Sequence, residues 1–117
     1  MKNKKTCALK PENVKTAGDE AELNRIVAAA PGPVILDFMA SWCGGCKAQT
    51  PALRQLACDR PDVTIVKVDV DKAEALADAW KVHEMPTLFV LKPGSRPPSR
   101  QDAQELSGVA EVRDALR

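Results

Sequence analysis

The chain has 117 residues, with seventeen Lys and Arg against sixteen Asp and Glu and a formal net charge of +1. That length suits a single domain over 1–117 able to build a core without metal or disulfide staples, and the charge balance, lack of Tyr and scarcity of Phe and Trp argue against nucleic-acid and anionic-membrane surfaces. No apolar run approaches the ~18–20 residues of a membrane span, and the basic opening Met1 to Lys5 leads into no apolar h-region, so the reading is a cytoplasmic protein.

Residues 1–10 read as a flexible extension containing Cys7. A short extended piece at Val14-Lys15-Thr16 precedes an amphipathic helix, with Asp19 and Glu22 as a capping-box-like start and Leu23, Ile26, Val27 and Ala30 as its apolar stripe. Pro31-Gly32 ends that helix. Val34 to Ala40 is the next strand, apolar apart from Asp37. A second helix opens near Cys43 and runs through Ala57, with Pro51 inside it removing one backbone hydrogen bond and kinking it. Val63 to Val70 is a β-branched strand covered on both faces, with Lys67 as its one interior charge.

Asp71 to Trp80 reads as a third helix with Asp71 available as its N-cap, and Trp80 reads as core. Strand Leu88 to Leu91 follows Met85-Pro86-Thr87. Lys92-Pro93-Gly94 is a turn signature, and Ser95 to Gln101 is an exposed loop. An edge strand over Ala103 to Ser107 and a final helix from Val109, burying Val112 and Leu116, complete the chain. The order of elements gives an α/β fold with helices on both faces of a central sheet.

The chemistry is concentrated in Ser41-Trp42-Cys43-Gly44-Gly45-Cys46-Lys47. A close cysteine pair where a strand hands over to a helix meets unsatisfied N–H groups and the positive end of the helix dipole, which favour thiolate over thiol. In a reducing compartment a close pair is catalytic or metal-binding rather than part of a structural disulfide framework. A four-cysteine metal site lacks a second close pair or a suitably spaced histidine, so no metal is expected. Cys58 reads as a small packing residue and Cys7 as an exposed thiol. His83, the sole histidine, reads as a solvated turn residue.

With these elements placed, the chain resembles the thioredoxin family. The residues that carry the resemblance are Asp37-Phe38, Ala40-Ser41-Trp42-Cys43-Gly44-x-Cys46-Lys47, Pro51, Lys67 to Asp71, Met85-Pro86-Thr87, Lys92-x-Gly94 and Gly108. It implies the thioredoxin fold, with a central mixed β-sheet flanked by helices on both faces. It also implies a protein-disulfide reductase with no bound cofactor, a monomer recharged with electrons from NADPH by a thioredoxin reductase. Its substrates would be disulfide-containing proteins such as peroxiredoxins, sulfoxide reductases or ribonucleotide reductase. Cys43, expected to be the more exposed sulfur, would be the nucleophile and Cys46 the resolving thiol of a redox-active disulfide. Asp37 would be the proton acceptor, its pKa raised by burial, and Lys67 its modulator. The resemblance makes Pro86 a cis-proline against the dithiol. It sets Trp42, Gly44, Gly45, Met85 and Thr87 on the substrate-binding face, where an extended peptide pairs with the backbone.

Gly45 stands where most thioredoxins have proline, and Met39 replaces the usual tryptophan. The residues between the cysteines influence how readily a disulfide closes, so the potential is expected to depart from the family norm. The long last hairpin reads as an inert insertion, with a partner contact through Arg96 and Arg100 as the other reading. Competing functions are a thioredoxin-like binding or chaperone subunit whose dithiol is incidental, and an oxidant or isomerase. The second is disfavoured by glycine where those proteins carry histidine, and glutaredoxin by the lack of tyrosine in the motif.

Overall fold

A computed structural model describes residues 11–94 and 97–117; the expectations for residues 1–10, for Cys7 and for Arg96 fall outside the described residues. The elements are β1 (Val14–Thr16), α1 (Glu20–Ala29), β2 (Val34–Met39), α2 (Gly44–Asp59), β3 (Thr64–Asp69), α3 (Glu74–Ala79), β4 (Thr87–Leu91), a 3-10 turn (Arg100–Asp102), β5 (Ala103–Leu106) and α4 (Val109–Ala115). The strands form one mixed sheet in the order β1-β3-β2-β4-β5. β1 and β2 both run parallel to β3, while β4 lies antiparallel to β2 and β5. This is the thioredoxin fold.

Side chains alternate between the faces of a strand, and the core divides accordingly. Val34, Leu36 and Phe38 of β2 join Val66, Val68, Phe89 and Leu91 against Leu23 and Val27 of α1 and Leu76 and Trp80. Ile35 joins Ile65, Leu88 and Val90 against Leu53, Leu56 and Ala57 of α2 and Val112 of α4. Asp37 shares the side of β2 that carries Ile35, so a carboxylate stands on an apolar face.

Three aromatic rings, Phe38, Phe89 and Trp80, lock the first core with centroid separations of 5.1–6.0 Å, in the tilted and edge-on arrangements that aromatic quadrupoles favour. The long hairpin is fastened to this cluster. Arg100 donates to the Trp80 carbonyl at 2.7 Å, pairs with Glu105 at 2.9 Å and lies 5.2 Å above the Phe89 ring. Its guanidinium therefore helps to fasten the hairpin to the core.

Asp19 caps α1 as its sequence predicts, accepting from the Glu22 amide at 2.8 Å. The start of α3 differs from expectation. The helix begins at Glu74, its N-cap is Ala73 and no side chain caps it; Asp71 lies two residues before the cap, and its carboxylate accepts from the Trp42 indole instead. Gly32 is required by a close approach of two loops: a Cβ there would sit 2.6 Å from the Asp62 carbonyl oxygen.

The far end of α2 is clamped by Asn13, whose side-chain amide donates to the carbonyls of Ala57, Arg60 and Val63 at 3.0, 3.3 and 2.7 Å. The Ala57 carbonyl, in the last turn of α2, is among those that have no partner within the helix, and the other two bonds tie the loop that follows to the same side chain. Arg60 reaches the Leu116 carbonyl at 3.2 Å and Arg113 pairs with Asp59 at 3.1 Å, tying α4 to the same end.

Candidate functional site

The other end of α2 carries the cysteines. Cys43 is the N-cap in extended backbone conformation, and its sulfur accepts from the Cys46 amide at 3.0 Å. The two cysteines are joined as a disulfide with a Cα–Cα separation of 5.3 Å. No acidic side chain occupies the first turn of α2, so nothing there opposes the electropositive helix end. Cys43 and Cys46 are 6% and 5% exposed, so in the oxidised form Cys43, expected to be the more exposed, differs little from Cys46. In the oxidised form both sulfurs are covered by the cluster of Ala40, Met39, Val70 and Met85. What separates the two is the hydrogen bond: an N–H aimed at the Cys43 sulfur stabilises negative charge there.

Around the disulfide the structure gathers most of the residues the sequence singled out. Met85-Pro86 is a cis peptide, and a Cβ built on Gly45 would lie 3.4 Å from Pro86 Cδ, so the proline edge and the Cys-Gly-Gly-Cys turn are neighbours. Thr87 is buried with its hydroxyl donating to the Glu84 carbonyl. Trp42 is 66% exposed, with its indole N–H donating to Asp71 at 2.8 Å. Gly44 is exposed, and a Cβ there meets nothing within 4 Å. A groove lined by exposed His83 and Glu84 runs beside Pro86 and Thr87.

Asp37 lies on β2, in register with Lys67 of β3 and Leu88 of β4. It is 3% exposed. Burial raises its pKa from 3.8 to about 6, against the opposing pull of the Lys67 ammonium and of a hydrogen bond from Gln49. A carboxyl that titrates there can take and return a proton close to neutral pH.

The sequence reading assigns Gln49 no role, and it places Asp71 in the family motif and as a helix cap but not as a partner of Trp42. Gln49 stands one turn beyond Cys46, where a polar residue interrupts the stripe Cys46, Leu53, Leu56 that faces the sheet; that interruption was the available signal. Asp71 gave no such signal, since an acidic residue after a strand reads as a helix cap. Cys58, expected to be a packing thiol, is disulfide-bonded and half-buried late in α2. Among the described residues no group of three or more His, Cys, Asp or Glu side chains is placed to hold a metal ion.

The thioredoxin family model matches residues 14–114. The chain belongs to the thioredoxin family. A thioredoxin of Chlamydia trachomatis is 48% identical over 65 residues, covering 56% of this chain and 64% of that protein, a little under two thirds of its length. A thioredoxin-like protein of Synechocystis is 32% identical over 98 residues, covering 83% of this chain and 88% of its own. Among solved structures, the thioredoxin of Fasciola hepatica aligns with a TM-score of 0.75 at 28% identity over 87% of this chain and 95% of that one. The Cys43–Cys46 pair of this thioredoxin-family protein is of the kind that carries out thiol–disulfide exchange, in keeping with an oxidoreductase.

Proposed function

We propose that the protein is a protein-disulfide reductase that passes electrons from a thioredoxin reductase, and so from NADPH, to disulfide-containing target proteins of the peroxiredoxin, sulfoxide reductase or ribonucleotide reductase kind. The same reading sets it in the cytoplasm, where NADPH is available. The observation that carries it is the Cys43–Cys46 disulfide at the N-terminus of α2 on a sheet whose face bears the buried Asp37.

In the reduced protein the Cys43 thiolate, stabilised by the helix end, attacks one sulfur of a substrate disulfide. A Cys43–substrate bond forms, and the other substrate sulfur leaves as a thiolate that takes a proton from water. Asp37 accepts the proton of the Cys46 thiol, and the Cys46 thiolate attacks Cys43. The Cys43–Cys46 bond closes, and the second substrate sulfur leaves as a thiolate that takes a proton from solvent while Asp37 gives its own proton back to solvent. The substrate disulfide has been reduced to two thiols and the dithiol oxidised to a disulfide. The Lys67 ammonium pulls the Asp37 pKa down against the effect of burial and so favours the ionised form. Trp42, Gly44, Gly45, Met85, Pro86 and Thr87 form the face on which the substrate segment lies.

Reduction of insulin by the purified protein, driven by NADPH with thioredoxin reductase and in parallel by dithiothreitol, tests this. Turnover is expected with both electron sources and is abolished in Cys43→Ser. Activity with dithiothreitol alone means another reductase, and inactivity with both means a binding subunit with an incidental dithiol.

A further inference from the structure

Gln49 Nε2 lies 3.4 Å from Asp37 Oδ1 across the α2–sheet interface. Cys46 and Gln49 are three residues apart on a helix, so their side chains share a face, and from that face the Gln49 amide reaches the Asp37 carboxylate. From β3 Asp37 faces Lys67 and from β4 Leu88. From α2 it faces Gln49, with the disulfide one turn above, while α4 contributes apolar Val112 to the same side. Arg54, farther along α2, shares a cavity with Lys67.

We propose that Gln49 is a positioning residue for the exchange, its side-chain amide holding the Asp37 carboxylate in its ionised, proton-accepting form and in one orientation beneath Cys46. The proposal rests on the reductase reading for its catalytic meaning. An amide N–H donating to a carboxylate favours the charged form, and Lys67, half-buried and acting through space, leaves that oxygen without a fixed donor of its own. A family member with an apolar side chain at this position would have a more readily protonated aspartate, so the residue sets the acid limit of activity. The step it assists is the proton transfer from the Cys46 thiol to Asp37.

The test is the carboxyl titration of Asp37, followed by carbon NMR in the oxidised protein, for wild type and Gln49→Met, a side chain of similar length with no donor. The midpoint is expected to move up by about half to one pH unit, a three- to tenfold change in the proton affinity of the carboxyl. The acid limb of the pH profile for insulin reduction should move with it, whereas a merely structural defect lowers the rate equally at every pH. An unchanged midpoint in folded Gln49→Met overturns the proposal. The wild type gives a second test that needs no variant: the Gln49 side-chain amide signals should shift with the same midpoint as the Asp37 carboxyl, and their indifference to that titration also overturns it. Both NMR arms require no turnover, so they remain decisive if the insulin assay shows that the reductase reading is wrong.

Discussion

The two ends of α2 are built to opposite purposes. At its C-terminal end the Asn13 amide covers three carbonyls and Arg60 and Arg113 bind the last helix. At its N-terminal end a sulfur takes the cap, two glycines occupy the first turn, and a carboxylate near the next turn is buried at a cost. One end maximises satisfied polar groups, and the other holds groups in states they would not choose in water. Stability and chemistry are thus separated along a single helix of sixteen residues.

That contrast is sharpest at Asp37. Below about pH 4 its carboxyl is protonated in both the folded and the unfolded chain and costs nothing. As pH rises from 3.8 to about 6 the unfolded chain releases this proton first, so stability falls through that window and the loss is complete above it. The separation is worth about 3 kcal/mol. Asp37→Asn should therefore raise stability by about that amount at pH 7.5, leave it nearly unchanged at pH 3.5, and slow insulin reduction. Urea unfolding at the two pH values checks it, and an equal effect at both would show that ionisation is not the source of the cost.

At the opposite end the sign reverses. Asn13→Ala removes the side-chain donor shared by the Ala57, Arg60 and Val63 carbonyls and should destabilise the protein by about 1–2 kcal/mol, with the rate of insulin reduction by the folded fraction unchanged. Thermal denaturation alongside the activity assay reads both, and a loss of activity larger than the loss of folded protein would mean that the two ends are coupled.

The smallest effect is expected from Gly45→Ala. Its Cβ meets only Pro86 Cδ, at 3.4 Å, and the backbone is that of an ordinary first helical turn. Alanine should stabilise by about 0.5–1 kcal/mol by restricting the unfolded chain, as read by chemical denaturation of the oxidised protein. Destabilisation instead would place the Pro86 ring too close to yield.

The sheet and helices were legible because strand and helix periods are local: Val34–Met39 and Thr64–Asp69 follow their apolar runs, and Asp19 caps α1 as its spacing with Glu22 requires. The cysteine motif was legible for the same reason. What escaped depends on partners distant in sequence. Asp71 accepts from Trp42, twenty-nine residues away, rather than capping α3; Asn13 meets carbonyls forty-four to fifty residues on; and Gln49 finds Asp37 only once α2 has folded over β2. The similar exposure of Cys43 and Cys46 was equally beyond a linear reading, since it comes from Met39, Val70 and Met85 closing over both sulfurs.

Trp42 projects two thirds of its surface into solvent while its indole nitrogen is tied to Asp71. Fixing a flexible side chain at an interface ordinarily costs about 0.5–1.5 kcal/mol of conformational entropy. Here that restriction is imposed when the chain folds, before any partner arrives. Under the proposed function, a substrate polypeptide would find a large apolar plate already in place beside the cysteine pair and would gain contact area without ordering it.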